Sequence, residues 1–319
     1  MSLRTQSLVF SLAVLFAVTC AAPYVWSQPS PARVRQVLPS PKASVVQTIG
    51  VTDITIIYSR PAVKGRTIFA DAPATMEARA KGEATLDNQN ERKPGEPIVP
   101  YNHIWRAGAN EATLFQVTDD VLINGQPLKA GSYSMHAIPG KAEWTIIFNN
   151  DPGQWGSFTY DSKKDALRVK AKPQAAVANQ EYLMYTFDSI SENSATVNVS
   201  WEKVRVPFTV EVKDVKAAWR AKADAAIAAN PTNEVIPLQV AQAYANDKNW
   251  DEALKFVDLS IKTKETFRNL SAKTNMLWSA GKKEDALKVA DSALAKGKTE
   301  NANTAAFEKR VADMKAGKM

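Results

Sequence analysis

The hydrophobic period of the sequence changes near Asp214, and this change constrains the fold more than any other feature. Before it, apolar and polar side chains alternate, most clearly in the series Val197, Val199, Trp201 and the series Val204, Val206, Phe208, Val210, Val212. A period of two indicates strands that cover a core on one face, as antiparallel sheets do. Short runs of this kind, broken by turn residues, predict an all-β antiparallel sandwich domain over residues 43–213, with a barrel as the alternative.

Turn residues subdivide this β-rich region. Asn124-Gly125 lies between two short apolar runs and predicts a type I′ hairpin, because both central residues of that turn need a positive φ. Glu202-Lys203 predicts a second tight connection, between two strands. Residues 71–98 contain almost no large apolar side chain, so we expect an exposed insertion with one short helix over 73–81.

An internal repeat follows Asp214. The run Asp251–Lys255 recurs as Glu284–Lys288, 33 residues later, and the apolar residues around both runs have helical spacing. The region resembles the tetratricopeptide repeat, because Ala253 follows Tyr244 by nine residues, as the contact between the paired helices of that repeat prefers. We therefore expect an α-helical tetratricopeptide-like repeat domain over 214–319. Its predicted helices include 215–229, 234–246, 267–280 and 303–316.

The first residues have the pattern of a secretory signal. Arg4 precedes an apolar stretch from Leu8 to Cys20, and small residues follow it, so the sequence predicts a signal peptide over 1–27 and a periplasmic or extracellular protein. An uncleaved anchor helix and a lipid-modified Cys20 are the alternatives. The Pro- and Ser-rich residues 28–42 predict a flexible linker. Since Cys20 is the only cysteine, a mature chain without it has no thiol catalysis and no disulfide.

The charge of the chain argues against nucleic acid as a partner. The net charge is +7, but the basic residues form no dense stripe with interleaved aromatic side chains. Residues 214–319 hold 18 basic and 14 acidic side chains, so their excess is small. No apolar run of about 20 residues lies beyond the first 30, so we expect no membrane span in the mature chain.

One polar run, from Trp105 to Thr113, indicates a ligand site. An arginine, an asparagine and a glutamate there offer donors and acceptors next to Gly108, and a second basic run surrounds Gly65. A carboxylate, phosphate or sugar is the ligand that such groups would bind, while a buried Arg–Glu pair that fastens a loop to the sheet is the structural alternative. The candidate ligand-binding residues are Arg60, Lys64, Arg66, Trp105, Arg106, Asn110 and Glu111.

Further runs carry a family resemblance. They are Tyr58-Ser59-Arg60-Pro61, Val63-Lys64-Gly65-Arg66, Trp105 to Thr113, Ala130-Gly131-Ser132-Tyr133, Ile138-Pro139-Gly140, Glu143-Trp144-Thr145, Gln154-Trp155-Gly156 and Ser200-Trp201-Glu202. Through them, residues 40–213, apart from the insertion, resemble the bacterial family catalogued as domain of unknown function 2911. The resemblance implies export and no established activity, so it transfers no catalytic residue. His103 stands where that family commonly has an acidic residue.

The two histidines give the catalytic alternatives. Glu111 and His136 are the candidates for an acid–base pair, and His103 could join them in a metal triad. No metal-binding spacing accompanies them, so we expect neither a metal nor another cofactor. The sequence therefore favours an exported binding or scaffold module, with a small polar or anionic ligand on the β domain and a protein or peptide partner on residues 214–319. A hydrolase or lyase using Glu111 and His136, and a purely structural envelope protein, are the alternatives.

Overall fold

The computed structural model describes residues 37–81, 85–87 and 91–318. The predicted signal peptide and most of the predicted linker lie outside these residues. The strands are β1 (Lys42–Ile49), β2 (Thr52–Ser59), β3 (Phe69–Ala70), β4 (Val99–Pro100), β5 (Thr113–Val117), β6 (Val121–Ile123), β7 (Gln126–Leu128), β8 (Gly131–Ile138), β9 (Trp144–Asn149), β10 (Asp165–Ala171), β11 (Gln174–Asp188) and β12 (Ser194–Glu211).

Two antiparallel sheets contain most of these strands, which confirms the expected β-rich region. The larger sheet has the order β1-β2-β5-β8-β9-β10 and the smaller one the order β11-β12-β6-β7. Side chains of both sheets meet in one hydrophobic cluster, to which the larger sheet contributes Phe115 and Phe148 and the smaller sheet Trp201 and Phe208. Strands β3 and β4 depart from the antiparallel expectation, because they pair in parallel.

The two predicted turns have different outcomes. Asn124 and Gly125 have φ values of 46° and 79° and join β6 to β7, so the hairpin is confirmed. The connection at Glu202-Lys203 is wrong, because β12 runs through both residues. Glu202 has a φ of 53°, and the pairing with β11 shifts register there. Up to Trp201 the odd-numbered residues of β12 face the core, and from Val206 the even-numbered ones do. This switch between odd and even positions needs one extra residue in the strand, and a β-bulge at Glu202 supplies it.

The insertion expected over 71–98 is not simply exposed. Its helix is α1 (Ala74–Glu77), shorter than the predicted one, and a single 3₁₀ turn covers Thr85–Asp87. Met76, Leu86 and Ile98 are all buried, as is the carboxylate of Asp87. The prediction was wrong for these residues because it depended on the small number of large apolar side chains, whereas Met76, Leu86 and Ile98 all reach the protein interior.

The chain after Asp214 is helical, as expected. The helices are α2 (Val215–Ala229), α3 (Val235–Asn246), α4 (Trp250–Thr263), α5 (Phe267–Ser279), α6 (Lys283–Thr299) and α7 (Ala305–Lys315). Each packs against the next one in sequence. Ala253 and Ala286, the equivalent small residues of the 33-residue repeat, are both fully buried. Within the described residues no helix combines the length and the apolar character needed to cross a membrane.

Helix α2 attaches the helices to the β-rich region. Val215 and Ala218 pack against the core of the two sheets. Gly50, in the turn between β1 and β2, has a φ of 61°, and a Cβ at this position would overlap the side chain of Val215. The ammonium of Lys222 lies 2.8 Å from Oδ2 of Asp119. Helix α2 is therefore packed closely on the end of β1, rather than attached through a free linker.

Candidate functional site

Trp105 begins the polar run and lies inside the protein. It forms a β-bridge with Ala137, and its indole N–H donates to the carbonyl of Gly108 at 3.1 Å. Its ring stacks on Trp201, with 5.9 Å between the ring centres and 18° between the planes. Because Trp105 is only 3% exposed, its ring offers no stacking face to a ligand in this conformation.

Arg106 is also buried, and its partner is Asp87. The backbone N–H and Nε of Arg106 donate to Oδ2 of Asp87 at 3.0 and 2.8 Å, and Nη2 donates to the backbone carbonyl of the same residue. Nη1 donates to the carbonyl of Asn110 at 2.8 Å. Gly156 lies against this guanidinium, since a Cβ there would be 2.8 Å from Nη2. The buried Arg–Glu pair that was the structural alternative is therefore wrong, because Arg106 pairs with Asp87 and Glu111 lies beside Lys42.

A chain of hydrogen bonds continues from Asp87 into the larger sheet. Ser157 donates its hydroxyl to Oδ2 of Asp87 at 2.9 Å, so its oxygen is left to accept from Nδ1 of His136 at 3.0 Å. Nε2 of His136 then accepts from Ser134 at 3.1 Å, whose oxygen in turn accepts a 3.4 Å bond from the amide of Gln154. These directions fit a neutral imidazole with its proton on Nδ1.

Burial sets the protonation of this network. It lowers the pKa of His136 to about 4, although the negative charge of Asp165 opposes this shift. Burial also raises the pKa of Asp87, while the charge and hydrogen bonds of Arg106 act in the opposite direction. His136, Ser134 and Ser157 are completely buried, so no substrate reaches the imidazole in this conformation.

The side chains of Asn110 and Glu111 lie outside the network of His136. The amide of Asn110 donates to the carbonyl of Ser40 at 3.1 Å and to the hydroxyl of Ser59 at 3.2 Å. The Glu111 side chain is 46% exposed, and its carboxylate lies 3.6 Å from the ammonium of Lys42. Glu111 therefore has a surface cation as its partner, whereas the ring nitrogens of His136 bond to serines. The structure does not form the acid–base pair considered from the sequence.

His103 is the third residue of the metal triad considered from the sequence. Its Nε2 lies 2.9 Å from Oε1 of Glu77, at the end of α1. His103, Glu111 and His136 thus have three different sets of partners, and the triad is not formed. Across residues 37–81, 85–87 and 91–318, no group of three or more His, Cys, Asp or Glu side chains is placed to hold a metal ion.

The basic loop after β2 contains Arg60, Lys64 and Arg66, and these three residues have different partners. Nε of Arg60 donates to the carbonyl of Leu183 at 2.9 Å, and its guanidinium lies 5.8 Å from the ring centre of Tyr182. Lys64 is exposed with a φ of 48°, and its backbone N–H donates to Glu181 at 2.9 Å. Arg66 is exposed and folds back onto the carbonyls of Ala62 and Val63. Arg60 thus fastens the loop to β11, while Lys64 and Arg66 face solvent.

Sequence reasoning missed Asp87, Ser157 and Arg92. Asp87 and Arg92 lie in a segment that we expected to be exposed, and Asp87 precedes Arg106 by 19 positions in the sequence. Ser157 follows a glycine whose close contact with Arg106 exists only in three dimensions. The sequence holds one signal that could have helped, since Leu86 is a large apolar residue next to a carboxylate in an otherwise polar segment.

The fold and the buried network define a class of protein: an antiparallel β-rich region, fastened internally by an Asp–Arg–Ser–His network, followed by a run of packed helices. A family model described as protein of unknown function (DUF2911) matches residues 40–82 and 85–210, and the chain belongs to that family. The match ends before α2, so it does not bear on the helices. No curated protein and no solved structure matches the chain.

Proposed function

We propose that this chain is an exported binding and scaffold protein, in which a β-sandwich carries a tetratricopeptide-like array of helices that docks a protein partner. The observation that supports docking is a groove of about 440 Å³ formed by α4, α5 and α6. Its apolar lining consists of Leu254, Leu277 and Val289. A groove of this size between helices is suited to a short peptide segment rather than to a flat protein surface.

The charges beside this groove favour an acidic segment. Lys273, Lys282 and Lys288 line it together with two aspartates. Lys273 lies 2.7 Å from Asp258, whereas Lys288 lies 3.6 Å from Asp285. The ammonium of Lys282 has no ion-pair or hydrogen-bond partner among the described side chains. The groove therefore has an excess positive charge beside an apolar floor, which suits a peptide with one apolar anchor and flanking carboxylates.

The buried network supports a binding role over a catalytic one. The pKa values of His136 and Asp87 are shifted, as those of active-site groups often are. Both side chains are buried, however, and both are hydrogen-bonded to Ser157. Glu111, the other proposed catalytic group, lies at the surface with Lys42. Glu111 lines a small opening of about 160 Å³ together with Lys42 and Ser59, but His136 is not part of its lining, so a hydrolase or lyase that uses Glu111 with His136 gains no support from this geometry.

Charge reversal in the groove tests the docking proposal. The variant Lys282→Glu/Lys288→Glu is compared with Lys298→Glu/Lys309→Glu, which makes the same change in net charge at exposed positions outside the groove. Each protein is cross-linked in an envelope fraction, and an acidic segment of the partner it captures is then titrated against it. We expect the control to bind like the wild type and the groove variant to bind at least tenfold more weakly.

Two outcomes would contradict docking at this groove: equal binding by the two variants, or a wild-type protein that captures nothing. The second outcome is what a purely structural envelope protein predicts. Point variants are preferable to deleting residues 214–319, because Val215 and Ala218 contribute to the core of the sheets. Export is tested separately by cell fractionation, and recovery of the chain in the cytoplasm would contradict it.

A further inference from the structure

A second opening lies in the β-rich region, between the basic loop and the end of the insertion. This cleft has a volume of about 450 Å³, and its lining includes Gly65 to Thr67 on one side and Arg92 to Glu96 on the other. Ile98 also contributes to the lining. The volume is in the range of small-molecule sites and exceeds what an inorganic ion fills.

Positive charge dominates the described lining of this cleft. Arg66, Arg92 and Lys93 line it, and Glu96 is the acidic residue among them. The carboxylate of Glu96 is already engaged, since Oε2 accepts from Nη2 of Arg79 at 2.6 Å and from the backbone N–H of Lys93 at 2.9 Å. Three cations and one carboxylate leave an excess of two positive charges, which a dianion would balance.

Arg92 has unused hydrogen-bonding capacity at this cleft. Its Nε and Nη1 are buried and have no hydrogen-bond partner among the described residues, and Nη2 makes only a long bond of 3.4 Å to the carbonyl of Leu86. A buried donor without an acceptor destabilises the folded protein, so an acceptor supplied by a ligand would be favourable here. Arg205 shares one such orphaned nitrogen, but it lies in a different cleft, without a second lysine or arginine in the described lining.

The surroundings of Arg92 favour binding of an anion over a fixed internal ion pair. Asp87, the carboxylate whose charge acts most strongly on Arg92, already accepts three hydrogen bonds on Oδ2. Burial lowers the pKa of Arg92 to about 10, and the charges of Arg106 and Arg66 act in the same direction while Asp87 opposes them. Arg92 therefore remains protonated at neutral pH beside other cations, and an anion would relieve their repulsion.

The fixed position of Arg66 completes the site. Its Nε donates to the carbonyl of Val63 at 3.1 Å, and Nη2 donates to the carbonyl of Ala62. These bonds leave Nη1 without a hydrogen bond to any described residue and hold the guanidinium on one side of the cleft. An anion between Arg66 and Arg92 would draw the guanidinium of Arg92 a short way towards the opening, since its two orphaned nitrogens are buried.

We propose that this cleft binds a small organic dianion, a phosphate monoester of metabolite size, between Arg66 and Arg92 with Lys93 beside it. A phosphate presents several oxygens to the two planar guanidinium groups, which form paired hydrogen bonds with such groups. The remaining volume accommodates the organic part of the ligand. The site is separate from the groove of the helices, so the two proposals succeed or fail independently.

Calorimetric titration of the full chain tests the proposal with glycerol 3-phosphate, inorganic phosphate, succinate and glycerol as probes. We expect glycerol 3-phosphate to bind most tightly, inorganic phosphate and succinate more weakly, and glycerol not at all. Affinity for glycerol 3-phosphate should fall as salt is raised, because screening weakens charge pairing. Succinate binding as tightly as glycerol 3-phosphate would contradict the assignment to phosphate monoesters.

The variant Arg92→Gln should weaken binding of glycerol 3-phosphate at least tenfold, because it removes the charge-assisted hydrogen bonds from the guanidinium to the phosphate. Arg205→Gln is the matched control, a half-buried arginine with an orphaned nitrogen elsewhere, and it should bind like the wild type. Arg66→Gln, at an exposed position, provides the same test if Arg92→Gln does not fold. Absence of wild-type binding at millimolar concentrations, or equal affinities of all variants, would overturn the proposal.

Discussion

Replacement of His136 by glutamine should remove a defined part of the pH dependence of stability. The imidazole is fully buried and accepts a proton only near pH 4 in the folded protein, against about 6.5 in the unfolded chain. Between these values the unfolded chain binds a proton and the folded protein does not. The stabilisation from a neutral His136 is therefore complete above pH 6.5 and is lost as the pH falls towards 4.

The size of the effect follows from the pKa difference. At about 1.4 kcal/mol for each pKa unit, the titration of His136 should lower the free energy of unfolding of the wild type by about 3 kcal/mol between pH 7 and pH 4. Glutamine does not titrate, so His136→Gln should be less stable at pH 7, by about 1–3 kcal/mol for the disturbed buried hydrogen bonds, but should show a flatter pH dependence.

Urea unfolding at a series of pH values measures this difference. The groups that titrate in both proteins largely cancel when the free energies of unfolding are subtracted, so the slope of the difference reports His136. Parallel curves for wild type and His136→Gln would refute the reasoning.

Two glycine substitutions test close contacts. Gly156→Ala should destabilise the protein by about 2–4 kcal/mol in urea unfolding, because position 156 has a φ of 66° and an added Cβ would lie 2.8 Å from Nη2 of Arg106. Gly153→Ala is the control. It has open space around it, so its free energy of unfolding should change by less than about 1 kcal/mol. Gly50→Ala should also destabilise the fold, and adding Val215→Ala should recover part of the loss. A purely additive double variant would show that helix α2 does not press on this turn.

Local periodicity accounts for what could be predicted of the fold. The alternation of valines along β12 and the helical spacing around Ala253 depend on neighbouring residues, so both elements could be placed from the sequence. The bulge at Glu202 could have been found as well, because the apolar parity changes between Trp201 and Val204. We interpreted this change as a turn, since a turn and a bulge both interrupt the alternation and only the continued pairing with β11 separates them.

The arrangement of the site could not be predicted in the same way. Arg106 and Glu111 are close in sequence, but a reversal of the chain at Ala107 and Asn110, both with positive φ, separates their side chains. Asp87 reaches Arg106 because the insertion folds back onto the sheet, which no local pattern records. Arg66 was among the candidates from the sequence, but Arg92, which lines the same cleft, lies in the segment that we expected to be exposed.

A double-mutant cycle between Asp87 and Arg106 tests the central claim most directly, namely that the polar run fastens the insertion to the sheet. Asp87→Asn, Arg106→Gln and the double variant are compared by urea unfolding, with a second cycle that pairs Arg106→Gln with Glu111→Gln. We predict a coupling of about 2 kcal/mol or more for the buried pair and less than about 0.5 kcal/mol for the pair with exposed Glu111. Strong coupling of Arg106 to Glu111, with none to Asp87, would contradict it.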